Sequence, residues 1–179
     1  PPRSTLFPYT TLFRSVAPVA RPLSTAPRQV ARVLDDGVVY LRFDEFNGAG
    51  RRWLSQQLKA HAAAPAVIVD LRQNAGGETI SLGVTIGEFF GSAVDCGTFI
   101  KRSGRRAVKT SWQLGSARYA GRVAVLVDGA TGSAAEIFAA VLQDHRRGVV
   151  IGRRTAGAVL ASWYYALPDG GLLQLSRED

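Results

Sequence analysis

The sequence predicts an α/β domain built on a mainly parallel sheet. Three observations lead there. PAVIVDLR (65–72), RVAVLVD (122–128) and GVVIG (148–152) are short, β-branched and apolar, as strands buried on both faces of a parallel sheet are. Helical stretches alternate with them, giving the order strand, helix, strand, helix, strand. The chain has 179 residues, 46% hydrophobic and 20% charged, which suits one domain with one core.

The elements follow in order. QVARVLD (29–35) and GVVYLRFD (37–44) are two strands joined at Asp36-Gly37, a strong hairpin turn signal. AGRRWLSQQLKAHAA (49–63) places Trp53, Leu54, Leu58 and Ala62 at helical spacing. Pro65 bounds the first buried strand, QNAGGE follows as a turn, and TISLGVTIGEFF (79–90) is a helix in which Gly83 and Gly87 permit close packing. DCGTFIKR (95–102) and RAVKTSWQ (106–113) make a second hairpin. After RVAVLVD come the turn GATG and the helix SAAEIFAAVLQDH (133–145), then GVVIG as a third buried strand. ASWYYALP (161–168) and GLLQLS (171–176) form a last hairpin around Asp169-Gly170.

Composition excludes several classes of function. The formal charge is +8, but Arg3, Arg14, Arg21, Arg28 and Arg32 all precede the first acid, Asp35, and the remainder carries a surplus of only three. The internal cluster Lys101-Arg102-Ser103-Gly104-Arg105-Arg106 reads as a solvated hairpin tip, not a nucleic-acid face with interleaved aromatics. No run of 18 apolar residues is present, so no membrane span is expected. Cys96 is the only cysteine, which rules out an internal disulfide and a cysteine metal cluster. Residues 16–28, rich in Pro and Ala without period, read as a linker or tail. Residues 1–15, PPRSTLFPYTTLFRS, can be encoded by a sequencing-adapter oligonucleotide and are set aside as a scar. With no methionine at position 1 and an abrupt end at LSRED, the chain is expected to be part of a longer protein, its folded core spanning 29–179.

Two stretches can carry chemistry. VIVDLRQNAGG (67–77) and VAVLVDGATGSAAEIFAA (123–140) each end a buried strand in a glycine-containing turn that opens a helix. Open α/β sheets place ligands at such strand ends, where helix N-termini present free N–H groups. Ser133 stands at the second turn. Flanked by small residues, it reads either as an accessible hydroxyl with the Ala134 amide aimed at an oxyanion, or as the cap of a capping box, Ser133-Ala134-Ala135-Glu136. Gly76 and Gly77 either supply positive φ after the strand or allow a substrate carbonyl close to the backbone.

The ordered set DLRQNAGG, TGSAAEIFAAVLQD and VIGRRTAGA resembles the S41 serine peptidases, the tail-specific or C-terminal-processing proteases, over about 29–179. The resemblance implies a ClpP/crotonase-like α/β core and a serine endopeptidase acting on extended polypeptide. It places the nucleophile on Ser133 and the oxyanion donors on Gly76, Gly77 and Ala134, with no metal or cofactor. It also implies export to the periplasm or cell envelope. One element departs from the pattern. The processing branch takes its base from a lysine in T-x-G-K-G, and here that element is Thr155-Ala156-Gly157-Ala158-Val159, with Ala158 at the lysine and Ser162 at the glutamine that follows it. Lys59, Lys101 and Lys109 lie elsewhere. The tricorn-core-like branch, which carries small residues there, uses an upstream histidine and a downstream glutamate. His145 is twelve residues past Ser133 on one helix, about 18 Å away at 1.5 Å per residue, and reads as a helix C-terminal cation; His61 ends an early surface helix. The base is therefore expected outside this chain, and the chain alone is expected to be inactive. Two other readings stand beside the peptidase: a non-catalytic peptide- or ligand-binding module, and a crotonase-like acyl-CoA enzyme.

Overall fold

The computed structural model describes residues 29–101, 104–109 and 119–178. The proposed scar and linker (1–28), the tip residues Arg102 and Ser103, and 110–113 of the second hairpin lie outside the described residues. The order is β1 (Val30–Val33), β2 (Val39–Arg42), α1 (Gly48–Ala60), β3 (Ala66–Asp70), α2 (Thr79–Gly87), β4 (Asp95–Lys101), β5 (Gly104–Lys109), β6 (Arg122–Val127), α3 (Ala134–Asp144), β7 (Val149–Gly152), β8 (Ala161–Ala166) and β9 (Leu172–Glu178).

Five strands form one sheet in the order β1-β2-β3-β6-β7. β1 is antiparallel to β2, through a turn in which Gly37 takes φ +73, and the other pairs are parallel. β4–β5 and β8–β9 are separate antiparallel hairpins, the latter turning at Gly170, φ +84. From β2 onward the sheet order rises with the chain. Right-handed crossovers that all step the same way put their helices on the same face. α2 accordingly packs between α1 and α3, and Val39, Leu41, Val67, Val69, Val123 and Val125 are buried beneath them.

This geometry corrects one expectation. β7 was expected to be buried, yet Val149 is 63% and Ile151 51% exposed, and only Val150 packs against the core. β7 is an edge strand, and its alternate residues point to the face that, among the described residues, carries no helix. An apolar strand sequence reports a parallel sheet but not whether both its faces are covered.

α1 starts at Asn47, whose Oδ1 accepts the amides of Ala49 and Gly50 at 3.0 and 2.8 Å. Leu54 and Leu58 are buried and Trp53 packs partly on the core, while Ala62 falls beyond the helix end and is exposed. α3 buries Ala134, Ala135, Phe138, Ala139, Val141 and Leu142. Phe138 meets Phe46 and Phe89 with ring centroids 5.7 and 5.6 Å apart, and Phe43 stacks edge-on to Phe46 at 4.9 Å. This aromatic cluster fixes α3 against the loop after β2, and so fixes where its N-terminus falls. Cys96 is half-buried against the core, its Sγ 3.8 Å from the carbonyl of Val94. Among the described residues no helix is long and apolar enough to cross a membrane.

Candidate active site

β3 and β6 are parallel neighbours, with Asp70 in register with Leu126, so their C-terminal turns leave the sheet side by side. Polar side chains join the two turns. Thr131 Oγ1, fully buried, donates to the Leu71 carbonyl at 2.8 Å and accepts the Asp128 amide at 2.9 Å. Asp128 Oδ1 accepts the amides of Gln73 at 3.0 Å, Ala130 at 3.0 Å and Thr131 at 3.1 Å. The Gln73 amide, followed by these others against the opposing effect of burial, holds the Asp128 carboxyl below its ordinary range. The Gly132 amide donates to the Asn74 carbonyl at 3.0 Å. Asn74, also fully buried, donates Nδ2 to the Phe43 carbonyl and accepts the Gly76 amide on Oδ1, both at 2.9 Å. Before the turn, Asp70 is buried under Tyr40 (2.5 Å) and Arg72 (2.7 Å). Its burial opposes ionisation, but the Arg72 side chain, then Tyr40, hold its carboxyl low.

The two glycines combine positive φ with close approach. Gly76 sits at φ +105, and a Cβ there would lie 2.7 Å from Ser133 Cβ and 2.8 Å from the Ala134 nitrogen. Gly77 sits at φ +141, and a Cβ there would lie 2.3 Å from the Phe46 carbonyl oxygen. Phe46 bridges this turn, donating to the Gly76 carbonyl and accepting the Glu78 amide, both at 2.7 Å.

Ser133 is half-buried at φ 50, ψ −121, a conformation that side-chain-bearing residues rarely adopt. The capping box is present in outline, with unequal limbs. Glu136 Oε2 accepts the Ser133 amide at 2.9 Å. The Ser133 side chain also faces the Glu136 amide, so both limbs of the box are present, although that amide's in-line bond goes to the Ser133 carbonyl oxygen at 2.9 Å.

Glu136 also reaches forward in the chain. It accepts the Gly157 amide on Oε1 at 2.7 Å and the Ala158 amide on Oε2 at 2.9 Å. The Ala156 amide donates to the Thr131 carbonyl at 2.9 Å. Residues 155–158 thus lie against the Ser133 turn, and the amides of Ser133 and Ala158 share one carboxylate oxygen.

Of the site residues expected from sequence, Gly76 lies directly against Ser133 and Ala134, and Gly77 follows it in the same turn, packed on Phe46. Their amides differ. That of Gly76 is engaged by Asn74. Among the described residues, no hydrogen bond is made by the amides of Gly77 or Ala134. The histidines stand apart from these turns. His145 is the C-cap of α3, with Nε2 2.9 Å from the Asp95 carbonyl and its ring 5.6 Å from that of Phe90. His61 is the C-cap of α1. Asn74, Asp128 and Thr131 were not singled out by sequence reasoning, although Asp128 and Thr131 at i, i+3 form an Asx-turn pattern that short-range rules can find.

The fold agrees with the comparisons. The profile of peptidase family S41 matches residues 37–179, and the chain belongs to that family. It is 30% identical over 136 residues to the carboxyl-terminal-processing protease of Picosynechococcus sp., covering 74% of this chain and 32% of that protein. It is 33% identical over 144 residues to the chloroplastic carboxyl-terminal-processing peptidase 1 of Arabidopsis thaliana, covering 76% and 29%. Among solved structures, a photosystem II D1 C-terminal processing protease superposes with a TM-score of 0.65 at 26% identity, over 79% of this chain and 37% of that one. The chain thus spans about a third of the length of these relatives.

Proposed function

We propose that this chain forms the nucleophile-bearing core of a serine endopeptidase with Ser133 as the attacking group. The observation that carries the reading is the Ser133 backbone at φ 50, ψ −121, wedged against Gly76 at the N-terminus of α3. A plain helix cap needs no such strain. In this mechanism Ser133 Oγ attacks the scissile carbonyl of an extended polypeptide, and the amine leaves as an acyl-enzyme forms. The oxyanion lies between the amides of Ala134 and Gly77, and the positive end of α3 favours it. Gly76, its amide held by Asn74, supplies closeness in place of a donor.

The hydroxyl requires a base. Residues 155–158 pack on the Ser133 turn, which supports aligning Ala158 with the lysine of the processing branch; an alanine cannot take the proton. We therefore assign the chain to the histidine-using branch, with the histidine and its partner supplied from outside the described residues. The names of the relatives suggest a polypeptide C-terminus as substrate, and a periplasmic or cell-envelope location remains part of the proposal, as the family resemblance implies. The same Ala158 is the one observation favouring a non-catalytic peptide-binding module, while the family match sets the acyl-CoA reading aside.

The test uses the full-length gene product, treated with a serine-directed fluorophosphonate beside its Ser133→Ala variant. Labelling of the wild type alone is expected. Equal labelling of both would sink the nucleophile and leave the binding module.

A further inference from the structure

Glu136 is engaged well beyond capping. A capping-box glutamate needs only the N-cap amide and lies at the helix surface. Glu136 is 8% exposed and receives, besides the Ser133 amide, the amides of Gly157 and Ala158, with the Thr155 side chain near enough to favour its charge. The two amides come from 21 and 22 residues further along the chain. Burial opposes its ionisation, but the Thr155 hydroxyl and then the Ala158, Gly157 and Ser133 amides outweigh it and hold the carboxyl below its usual range. No cation among the described residues forms an ion pair with it, so N–H and O–H donors alone offset the charge. Such charge-assisted bonds are strong and directional, and they fix where each donor must point.

We propose that Glu136 is a positioning residue, whose carboxylate fastens residues 155–158 onto the nucleophile turn and so sets the reactivity of Ser133. The inference rests on the nucleophile reading above. By binding the Ser133 amide, Glu136 turns that N–H inward and leaves the Ala134 amide facing the glycine turn. By binding Gly157 and Ala158, it fixes a second wall beside the hydroxyl. It touches neither substrate nor reacting atoms.

The test compares wild type, Glu136→Gln and Thr155→Val in the full-length gene product, with two readouts. One is amide hydrogen exchange at Ser133, Gly157 and Ala158; the other is the rate of fluorophosphonate labelling at Ser133. Glutamine keeps the size of the side chain but turns an NH2 group toward an N–H donor. Exchange at 157 and 158 is expected to quicken about 10-fold or more in Glu136→Gln with β3 and β6 unchanged, and labelling to slow about 10- to 100-fold, the scale of a small misplacement. Thr155→Val removes one donor and leaves the fold intact, and should slow labelling about 3-fold. Unchanged exchange in Glu136→Gln overturns the anchor. Quickened exchange with unchanged labelling overturns the effect on reactivity and leaves a structural tie. If Glu136→Gln does not fold, Thr155→Val decides, and an unaltered labelling rate there overturns the proposal. A wild type labelled no faster than Ser133→Ala sinks the nucleophile reading and the reactivity half of this inference with it, while exchange still decides the anchor.

Discussion

After β3 the chain turns through Gly76 and Gly77 at φ +105 and +141, which residues without a side chain adopt freely. After β6 it turns through Ser133 at φ 50, ψ −121, which a side chain makes costly, by about 1–3 kcal/mol. The two turns lie side by side at the C-terminal ends of neighbouring central strands. The glycine turn can shape itself and needs chiefly space; Phe46 and Ser133 occupy everything a Cβ would need. The serine turn must be held, and Asp128, Thr131, Asn74 and Glu136 hold it through hydrogen bonds, with Thr131 and Asn74 fully buried. A serine where glycine would be free, kept there by these hydrogen bonds, is the observation behind the proposal that its hydroxyl is the nucleophile.

The largest effect should come from closing the space the glycine turn depends on. Gly77→Ala drives a Cβ against the Phe46 carbonyl, backbone that cannot yield, and is expected to cost about 3–5 kcal/mol in urea unfolding. A loss below 1 kcal/mol would show that the turn relaxes. Next comes the clamp between the turns. Asn74→Ala strands the buried Gly76 amide and Phe43 carbonyl and should cost about 2–4 kcal/mol. Acid should loosen the serine turn before alkali does. Glu136, Asp128 and Asp70 all hold their carboxyls below the ordinary range, so the unfolded chain takes up protons first as the pH drops. Their stabilisation is complete above the usual carboxylate range and is lost as pH falls through their lowered values. Melting temperature should be flat from pH 7 to 5 and drop below about pH 4; a rise on acidification would contradict this. The smallest effect has the opposite sign. Ser133→Gly relieves the strain and should stabilise the fold by about 1 kcal/mol while abolishing fluorophosphonate labelling. A destabilised Ser133→Gly would mean the serine side chain supports the turn as a cap.

Much of the fold was legible because its signals are local. Period-2 and period-3.6 patterns, Asp36-Gly37 and Asp169-Gly170 fixed the strands, helices and hairpins. The exposure of β7 was not legible, since Val149 and Ile151 look like core residues until the sheet order places them at an edge facing no helix. At the site, Ser133, Ala134, Gly76 and Gly77 could be proposed from two short motifs. Glu136 was readable only as half of a capping box, because Gly157 and Ala158 stand far along the chain and meet it only once β7 has returned beside β6. Asn74 looked like an ordinary turn residue, as its partner Phe43 lies 31 positions away.

The most direct test of the strained-nucleophile account is to map the fluorophosphonate adduct by peptide mass spectrometry in the full-length gene product, native and urea-unfolded. The account predicts one adduct, on the peptide bearing Ser133, formed by the native protein and lost on unfolding. An adduct on another serine, or equal modification of Ser133 in the unfolded chain, would contradict it.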